Sequence, residues 1–464
     1  MLEVELDYGP AAERADILSG RPCFAFLDSA GDYDDLGRYS FIGIDPFGTF
    51  HVRDGMAFWD GEPCEDAPLA ALRGLLKRFR LERTGPFPFR GGVIGHISYD
   101  FGRRLETLAE PADPLHPLDE LRFGFYDLVI AFDHRDRRCV LFSSGFPEED
   151  ETARGGRAGE RAEEAQAWLK AGTAGPVSAT GRAGEWRSDR PAAEYEAAVR
   201  KVQDYILAGD IYQANIAQRF TAALDEGFDP WAFYCTLRTV NPAPFAAFLR
   251  SGSTAIVSSS PERFLACRDG AVEARPIKGT ARRAADPARD AEIAARLLAS
   301  DKDRAENTMI VDLLRNDLSR VCAPATVRVP MLCGLESYEG LHHLTSVVTG
   351  RLRAGCDAVD LIAACFPGGS ITGAPKLRAM DIITEIEGAA RGVYCGAIGY
   401  IGFDGDLDLN IAIRTVTLEP GRACFSVGGG ITLLSDPAQE YAETLTKAQR
   451  IFEAFRAFSA GGAG

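Results

Sequence analysis

The chain has 464 residues, enough for two or three ordinary domains or for one unusually large one. Its 67 acidic and 51 basic residues give a net charge of −16, which argues against a nucleic-acid partner because phosphate binding needs a basic face. An anionic substrate would therefore need local cations or a metal ion. Scattered cysteines, no apolar signal segment and no membrane-length apolar run predict a soluble, cytoplasmic protein without membrane contact.

The first part of the chain, residues 1–150, is predicted to form mainly short strands. Apolar runs such as 24–27 alternate with Gly, Pro and Asp turns, and one helix is predicted over 69–79. Residues 151–187 are rich in Ala, Gly, Arg and Glu, which is typical of a partly helical surface linker. These differences divide the chain into an N-terminal region, this linker and a C-terminal region over 188–458.

The C-terminal region begins with a predicted helix that ends at Gly209. Its apolar stripe consists of Tyr195, Val199, Val202 and Ile206. The run 211–220 alternates as a strand does and places Gln213 and Asn215 on one face. Such a face can line a binding site, or it can be the polar surface of an edge strand, and the pattern leaves both interpretations open.

A short segment, Arg275-Pro276-Ile277-Lys278-Gly279-Thr280, is the strongest candidate for chemistry. Pro276 restricts the residue before it to an extended conformation, and Gly279 permits a sharp turn directly after the lysine. Lys278 would thus be held on a stiff segment and aimed at one point. A predicted helix follows, with Glu306 at the border of its apolar stripe Asn307, Val311, Leu314 and Leu318.

Two glycine-rich stretches do not match the standard nucleotide-binding motifs. The loop 366–376 has no lysine directly after Gly373, where a P-loop needs one, and it has Thr372 in place of the last glycine of a nucleophile elbow. It still opens a predicted helix whose apolar stripe includes Ile382. The N-terminus of this helix, with the hydroxyls of Ser370 and Thr372, suits either an anion or ordinary capping. Gly428, Gly429 and Gly430 follow a predicted strand and could expose amides to a ligand or form a tight turn.

The last predicted helix, 437–458, carries Glu440, Glu443 and Lys447 apart from its apolar stripe. In isolation this trio indicates a solvated face with a salt bridge. If Glu443 meets Glu306 in space, however, the two acids form a partial oxygen site of the kind that Mg²⁺ accepts.

Three further side chains have two interpretations each. His343 belongs to an adjacent histidine pair and is either a core histidine or a proton-transfer group. Glu262 is either a salt-bridge partner or a general acid–base. Arg414 falls inside a strand predicted over 408–417, where an arginine requires a partner such as a carboxylate.

In their order, these segments resemble the chorismate-utilising enzymes. The resemblance covers about 187–456, with a weaker match at Leu27 to Ala30 and Gly37 to Gly43. It rests on seven further motifs, at 209–220, 260–264, 275–280, 305–317, 342–343, 369–376 and 394–400, and on the glycine triplet. It implies an α/β (α+β) fold of the anthranilate synthase component I type, with two stacked, mostly antiparallel β-sheets, outer helices and the substrate between the sheets.

The resemblance also implies roles for individual residues. The implied catalytic residues are Lys278, Glu262, His343 and Thr372, and the implied metal ligands for Mg²⁺ are Glu306, Glu443 and Glu440. The residues implied to bind chorismate are Gln213, Asn215, Tyr394, Arg414, Gly428, Gly429, Gly430 and Lys447. In related anthranilate-forming enzymes the N-terminal region helps form a tryptophan pocket, to which Ser29, Tyr39, Ser40, Pro242 and Phe245 correspond here.

Two positions indicate a branch of the family. Anthranilate-forming members have alanine in place of Lys278, and members that add water have a lysine base in place of Gln213. The combination here resembles the branch that makes 4-amino-4-deoxychorismate for p-aminobenzoate and folate. That branch implies a covalent intermediate on Lys278 and ammonia from a separate glutamine amidotransferase subunit. Anthranilate synthesis and a catalytically silent chorismate-binding subunit are the alternatives.

Overall fold

The structure is a computed structural model that describes residues 1–31, 34–113, 118–172, 181–338 and 340–461. Over these residues the chain forms 24 strands and 11 α-helices. The strands are β1 (Leu2–Leu6), β2 (Ala25–Asp28), β3 (Tyr39–Ile44), β4 (Gly48–Arg53), β5 (Met56–Trp59), β6 (Glu62–Pro63), β7 (Gly92–Ile97), β8 (Leu121–Tyr126), β9 (Leu128–Asp133), β10 (Arg138–Ser143), β11 (Arg187–Ser188), β12 (Gln213–Ala223), β13 (Phe245–Ser251), β14 (Thr254–Ser260), β15 (Arg263–Arg268), β16 (Ala271–Arg275), β17 (Ile277–Arg282), β18 (Arg328–Tyr338), β19 (Leu341–Arg351), β20 (Gly373–Ala374), β21 (Ala397–Gly402), β22 (Leu407–Asn410), β23 (Thr415–Glu419) and β24 (Arg422–Ile431). The helices are α1 (Ala11–Leu18), α2 (Pro68–Arg78), α3 (Gly102–Leu105), α4 (Glu151–Ala171), α5 (Ala192–Leu207), α6 (Pro230–Val240), α7 (Pro287–Leu298), α8 (Asp301–Ser319), α9 (Ala358–Cys365), α10 (Lys376–Glu387) and α11 (Pro437–Gly461).

The strands form two 12-stranded sheets in which the named strands pair antiparallel. The first sheet has the order β1-β10-β9-β3-β2-β13-β14-β23-β24-β12-β11, with β20 added to β12. The second has the order β17-β19-β16-β15-β22-β21-β7-β8-β4-β5-β6, with β18 added to β19. Both sheets contain strands from residues 1–150 and from residues 188–458.

The two sheets pack face to face through an apolar core that both contribute to. Phe41 and Val129 of the first sheet belong to the same buried cluster as Ile94 and Ile398 of the second. A second cluster packs α6 and α11 on the outside of the first sheet, and a third packs α8 and α9 against the second sheet. The predicted fold of two stacked antiparallel sheets with outer helices is therefore confirmed.

Helical periodicity located five of the eleven α-helices in the described residues. The predictions for 69–79 and for the stripes at Tyr195, Val311 and Ile382 are confirmed as α2, α5, α8 and α10, and the last predicted helix is α11. The predicted linker begins with α4, which packs Ala158, Ala162 and Ala165 inward, in contact with β1, β10 and α1. The part of that prediction that concerns residues 173–180 lies outside the described residues.

The strand predicted over 408–417 is wrong, because two strands from different sheets share this stretch. β22 ends at Asn410 in the second sheet, and β23 begins at Thr415 in the first. The intervening residues carry the chain from one sheet to the other, and Arg414 has a left-handed φ of 51° just before β23. Arg414 therefore lies at a crossing between sheets rather than within a strand.

No helix within the described ranges combines the length and apolar character that a membrane crossing needs. All eleven cysteines are free thiols.

Candidate active site

Lys278 lies on β17, where the strand departs from regular pairing. The register with β19 shifts between Ile277 and Thr280, and Gly279 adopts a φ of 79° that favours glycine. A side chain at Gly279 would also press on Asp303 and Leu297 at 3.0 Å. The expectation of a lysine held by a stiff, turned segment is confirmed, and the Lys278 side chain is only 12% exposed.

The ends of Lys278 and Gln213 meet above Gly430. A Cβ added to Gly430 would overlap the Gln213 amide nitrogen and would lie 3.6 Å from Lys278 Nζ. Gln213 and Asn215 are buried, and the start of β12 is paired on both sides, with β20 and β24. The edge-strand interpretation is therefore wrong. Gln213 Oε1 and Asn215 Oδ1 have no hydrogen-bond partner among the described residues, so both can accept from a ligand.

The glycine triplet does not follow a strand or form a turn, because all three residues lie inside β24. They pair with β12 as Asn215 with Gly430, Ile216 with Gly429 and Ala217 with Gly428. Their lack of side chains admits polar groups from elsewhere. A Cβ on Gly429 would lie 3.2 Å from a Glu440 oxygen, 3.6 Å from Lys447 Nζ and 3.9 Å from a Glu443 oxygen. Side chains therefore approach Gly429 and Gly430 closely, whereas a Cβ at Gly428 would meet the β12 backbone at Ile216 and Ala217.

The polar trio of α11 reaches this site, and each of its two acids pairs with a lysine. Glu440 is 4% exposed and accepts hydrogen bonds from Ser435 Oγ at 2.7 Å and from Lys302 Nζ at 3.1 Å. Lys447 Nζ lies 2.8 Å from Glu443 Oε1 and donates to the Gly428 carbonyl at 2.8 Å. A purely solvated face is therefore wrong for Glu440, whereas Glu443 and Lys447 remain about half exposed.

Glu306 and Glu443 come from different helices, and both interact electrostatically with Lys278 and Lys302. Glu306 Oε2 lies 3.9 Å from Lys278 Nζ, and burial raises the pKa of Glu306 although Lys278 and Lys302 oppose this. Burial also acts to raise the pKa of Glu443, but Lys447, Lys302 and Lys278 together bring that pKa below its ordinary value. Two carboxylates and their amines therefore share one electrostatic neighbourhood.

The acids of this neighbourhood offer oxygen donors of the kind that Mg²⁺ prefers. Glu306 Oε1 is buried without a hydrogen-bond partner in the described part of the chain, which a cation would satisfy. The Glu440 and Glu443 oxygens instead hold lysines, and within the described ranges no three acidic, histidine or cysteine side chains already form a metal-binding group. The donor chemistry fits a hard cation, but the ligand set is not assembled.

Glu262 lies between β14 and β15 and interacts electrostatically with Lys278. It is 5% exposed, and its carboxylate accepts a long hydrogen bond from the Ile277 N–H at 3.5 Å. Burial raises the pKa of Glu262, although a hydrogen bond with Ser370 and the charges of Lys278 and Arg414 oppose the rise. A carboxyl group that keeps its proton more readily than usual suits proton donation beside the lysine.

Both histidines of the pair are buried, on opposite faces of β19. His342 contacts Ser337 Oγ at 2.7 Å and Asp290 at 3.0 Å, and His343 Nδ1 lies 2.9 Å from Thr280 Oγ1. Burial and the nearby Arg414 charge lower the pKa of His343 to about 4. His343 is therefore neutral near pH 7 and lies in the same neighbourhood as Arg414 and Glu262.

The low pKa of His343 predicts a pH-dependent stability. Its pKa falls from 6.5 to about 4 on folding, so the unfolded chain binds the proton first and stability is lost as pH falls from 6.5 towards 4. The wild-type free energy of unfolding should drop over this window by about 3 kcal/mol more than that of His343→Gln. Urea unfolding at both pH values measures this. His96→Gln, away from the site, is a matched comparison because burial also lowers the His96 pKa to about 4. Equal losses in His343→Gln and wild type would contradict the prediction.

Thr372 and Tyr394 have other contacts than the sequence suggested. The Thr372 hydroxyl donates to the Gly368 carbonyl at 3.0 Å, and the Thr372 carbonyl accepts the Asn215 N–H at 2.8 Å. Tyr394 is buried, which raises its pKa well above the usual value, and it lines a small cavity together with Ser426 and Thr415. Thr372 therefore holds β12 in place through its backbone, and α10 begins without a side-chain cap.

Sequence reasoning missed Arg391, which joins two walls of the site. This arginine is buried and donates to the Asn215 carbonyl at 2.6 Å and to the Ile371 carbonyl at 3.1 Å. It also forms a two-pronged ion pair with Glu387 at 2.7 and 2.8 Å, and Glu387 accepts the Ala217 N–H at 2.8 Å. No motif marks it, because its partners are mainly backbone carbonyls.

A second cavity, of about 80 Å³, lies between the two sheets and is lined by residues from both the N-terminal and the C-terminal region. Ser29, Tyr39 and Phe245, three of the five residues that the resemblance implies for a tryptophan pocket, line this cavity together with Arg263 and Asn410 from the second sheet. Ser40 and Pro242 are not among its described lining residues. Ser40 lies behind the wall, where its hydroxyl accepts from the Ser29 N–H at 3.1 Å and contacts His134 at 2.8 Å.

Comparison with known proteins agrees with this geometry. A family model for chorismate binding enzymes matches residues 23–453, so the chain belongs to the chorismate-binding enzyme family, and the expected chorismate-using enzyme is confirmed. More particularly, the chain is 47% identical over 441 residues to aminodeoxychorismate synthase component 1 of Klebsiella aerogenes, covering 94% of each chain. It is 42% identical to the protein of the same name from Escherichia coli (strain K12), covering 84% of this chain and 82% of that one.

Solved structures show the same fold. Anthranilate synthase component I from Streptococcus pneumoniae TIGR4 superposes with a TM-score of 0.79 at 30% identity, covering 90% of this chain and 93% of that one. MenF, the menaquinone-specific isochorismate synthase from Escherichia coli, superposes with a TM-score of 0.73 at 16% identity, covering 98% and 94%. Because the identity to MenF is only 16%, this similarity supports a common fold and nothing further.

Proposed function

We propose that this chain converts chorismate and ammonia to 4-amino-4-deoxychorismate, as component I of a two-component synthase. The observation that carries the proposal is the meeting of Lys278 Nζ and the Gln213 amide above Gly430, beside the acids of α8 and α11. The 47% identity to an aminodeoxychorismate synthase component 1 over 94% of the chain supports it. The buried amide oxygens of Gln213 and Asn215 are suited to accept N–H donors from ammonia.

In the first half of the proposed reaction, Lys278 and Glu262 share one proton, and when the proton is on Glu262 the free amine of Lys278 forms a bond to C2 of the chorismate ring. The ring double bonds shift, the C4–O bond breaks, and Glu262 gives its proton to the departing hydroxyl, which leaves as water. The raised pKa of Glu262, caused by burial, favours the protonated state that this step needs. The product of this half is a covalent adduct on Lys278 and a carboxylate at Glu262.

In the second half, ammonia forms a bond to C4 while the double bonds shift back. The C2–N bond then breaks and returns Lys278 as an amine. Glu262 accepts the surplus proton of the new amino group, so its starting state is restored and the net change is chorismate plus ammonia to 4-amino-4-deoxychorismate plus water. The Thr372 carbonyl accepts the Asn215 N–H and so keeps Asn215 in position, and the neutral His343 contacts Thr280 on the strand that carries Lys278.

The remaining polar groups would hold the substrate's carboxylates. Arg414, Tyr394 and Lys447 supply donors at the edges of the site, and the glycines of β24 let the substrate lie close to the backbone. Mg²⁺, held by Glu306 and Glu443 with support from Glu440, would supply positive charge for one carboxylate of chorismate.

Removing a proposed metal ligand should weaken ion binding. Glu306→Gln keeps the shape of the side chain but loses its charge, so the Mg²⁺ dissociation constant should rise about tenfold or more by calorimetry. Asp312→Asn is the matched control, because Asp312 lies on the same helix but is 80% exposed and pairs with Arg315. Equal Mg²⁺ affinity in Glu306→Gln and wild type would remove Glu306 from the proposed site.

Product analysis tests the proposed function. The purified chain is incubated with chorismate, Mg²⁺ and an ammonium salt, and the products are separated by chromatography and mass. We expect 4-amino-4-deoxychorismate without release of pyruvate. The second candidate, anthranilate synthesis, is favoured by the 30% identity to anthranilate synthase component I. Anthranilate with an equal amount of pyruvate would establish that candidate instead.

The ammonia would come from a separate subunit. The relatives are named component 1, which implies a second component. We propose that this second component is a glutamine amidotransferase, because the proposed reaction consumes ammonia, which the hydrolysis of glutamine can supply. The enzyme should therefore use free ammonia alone and glutamine only in the presence of its partner.

A further inference from the structure

The loop between α9 and α10, residues 366–375, is closed at its base by one lysine side chain. Lys376 is the first residue of α10, and its Nζ donates a hydrogen bond of 2.9 Å to the carbonyl of Cys365, the last residue of α9. The same Nζ donates to Asp317 Oδ2, on α8, at 2.6 Å. We call these two contacts of Lys376 the clasp, because they join both ends of the loop to each other and to α8.

The clasp contains an ion pair inside the protein. The side chains of Lys376 and Asp317 are 13% and 8% exposed. Burial raises the pKa of Asp317, although the charges of Lys376 and Arg320 oppose the rise. Each member of the pair therefore depends on the other, because an unpaired charge is costly in the protein interior.

The stability of their own helices does not explain where these two charges lie. The helix dipole disfavours a cation at a helix N-terminus and an anion at a helix C-terminus. Lys376 is the first residue of α10, and Asp317 lies in the last turn of α8, so each occupies the disfavoured end of its own helix. The C-terminus of α9, in contrast, gains a cation and a donor for its last carbonyl. The position of the pair is thus explained by the elements that it joins.

The loop closed by the clasp presents two groups to the candidate active site. The Ser370 side chain hydrogen-bonds to the carboxyl group of Glu262. The Thr372 carbonyl accepts the Asn215 N–H at 2.8 Å. A displacement of the loop would therefore move a partner of the proposed proton donor and a partner of β12 together.

The clasp also fixes the loop against the helix that carries Glu306. The loop packs on this helix, since a Cβ added to Gly369 would lie 3.5 Å from the Leu313 side chain. Asp317 follows Glu306 on α8 by about 16 Å along the helix axis, at a rise of about 1.5 Å per residue. The clasp is thus too distant from the proposed reacting atoms to act on them directly, and it acts through the loop.

We infer that Lys376 is a positioning residue of the candidate active site, an inference that rests on the proposed function. By closing the loop and tying it to α8, Lys376 holds Ser370 against Glu262. It also keeps the Thr372 carbonyl on the Asn215 N–H. A phosphate-binding loop directs its lysine at a ligand, whereas this loop has a lysine that binds its own base.

The test compares Lys376→Met with Lys376→Arg in the full chain, with chorismate, Mg²⁺ and an ammonium salt. In Lys376→Met the turnover number should fall about tenfold or more while KM for chorismate changes less than about threefold, because misplaced groups affect the reacting state most. Lys376→Arg should keep most of the turnover number, since a guanidinium can donate to a carboxylate and a carbonyl. The Asn215 N–H should exchange with deuterium about tenfold faster in Lys376→Met, relative to the other amides of β12.

Two further variants separate positioning from stability. Lys376→Met combined with Asp317→Asn leaves no unpaired buried charge, so this variant should fold, yet its turnover number should remain low. Arg161→Met breaks a different buried ion pair, in which the side chains of Arg161 and Asp127 are 9% and 0% exposed. It should lose stability but keep the wild-type turnover number below its melting temperature.

The inference is overturned by a wild-type turnover number in the double variant, or by unchanged exchange of the Asn215 N–H in Lys376→Met. Equal losses of turnover in Arg161→Met and Lys376→Met would likewise reduce the clasp to a contribution to stability. In these cases the wild type still forms the amino product from ammonium, so the proposed function stands. A wild type that forms no amino product would instead overturn the proposed function, and the inference with it.

Discussion

Lys278→Ala should lower the rate of product formation about 10³-fold or more, with little change in the fold. The lysine is the amine that reaches the space above Gly430, where Gln213 also ends. Alanine keeps the β17 backbone and the register bulge but provides no nucleophile. Its closest acid, Glu306, lies 3.9 Å away and already has Lys302 nearby, so the loss of one amine leaves the acid compensated.

The covalent step has a direct signature. Wild-type enzyme mixed with chorismate and Mg²⁺ without ammonia should gain the mass of chorismate less one water, and peptide mapping should place the added mass on Lys278. Lys302→Ala is the control, since Lys302 is a second amine of the site that pairs with Glu440 at 3.1 Å. It should weaken substrate or metal binding but keep the adduct. Full activity in Lys278→Ala together with no adduct in the wild type would rule out the covalent route.

Periodic patterns predicted the elements whose packing follows a single face. The helices α5, α8, α10 and α11 were found because one apolar stripe of each is buried against a sheet. The same reasoning failed after Asn410. The apolar residues that follow it continue a strand pattern, yet the chain leaves one sheet and enters the other there, and a local pattern carries no information on sheet membership.

The glycine triplet shows a second limit of local reasoning. Three glycines usually indicate a turn, because glycine has low strand propensity. Here they stay inside β24, because the Gln213 amide and the acids of α11 occupy the space that side chains would need. Those neighbours are distant in sequence, so only the folded chain reveals the reason.

The residues of the candidate site likewise fall into those that the sequence reveals and those that only the folded chain reveals. Lys278, Glu262 and Glu306 could be named from the sequence because their motifs match a known family and their side chains are of the types that the proposed chemistry needs. Arg391 could not, because its role depends on carbonyl groups of Asn215 and Ile371 that only tertiary structure brings together. Groups that hold a site in shape leave a weaker sequence signal than groups that react.

Arg391→Met should destabilise the protein by about 3–5 kcal/mol, the usual loss when one partner of a buried ion pair is removed. Both Arg391 and Glu387 are largely buried, with side chains 3% and 8% exposed, so the variant leaves a carboxylate without its cation. It also leaves two backbone carbonyls without their donor. Urea unfolding gives the loss directly, and Arg315→Met, at an exposed pair with Asp312, should lose less than about 1 kcal/mol.

A second substitution separates the buried charge from the lost hydrogen bonds. In Arg391→Met with Glu387→Gln, the glutamine removes the unpaired charge and can still accept the Ala217 N–H that Glu387 now accepts at 2.8 Å. Part of the stability should therefore return, whereas the carbonyls of Asn215 and Ile371 remain without their donor. Because those carbonyls belong to the walls that carry Gln213 and Ser370, the turnover number should stay low in the double variant even where stability recovers. Full recovery of turnover would mean that Arg391 stabilises the fold without positioning the site.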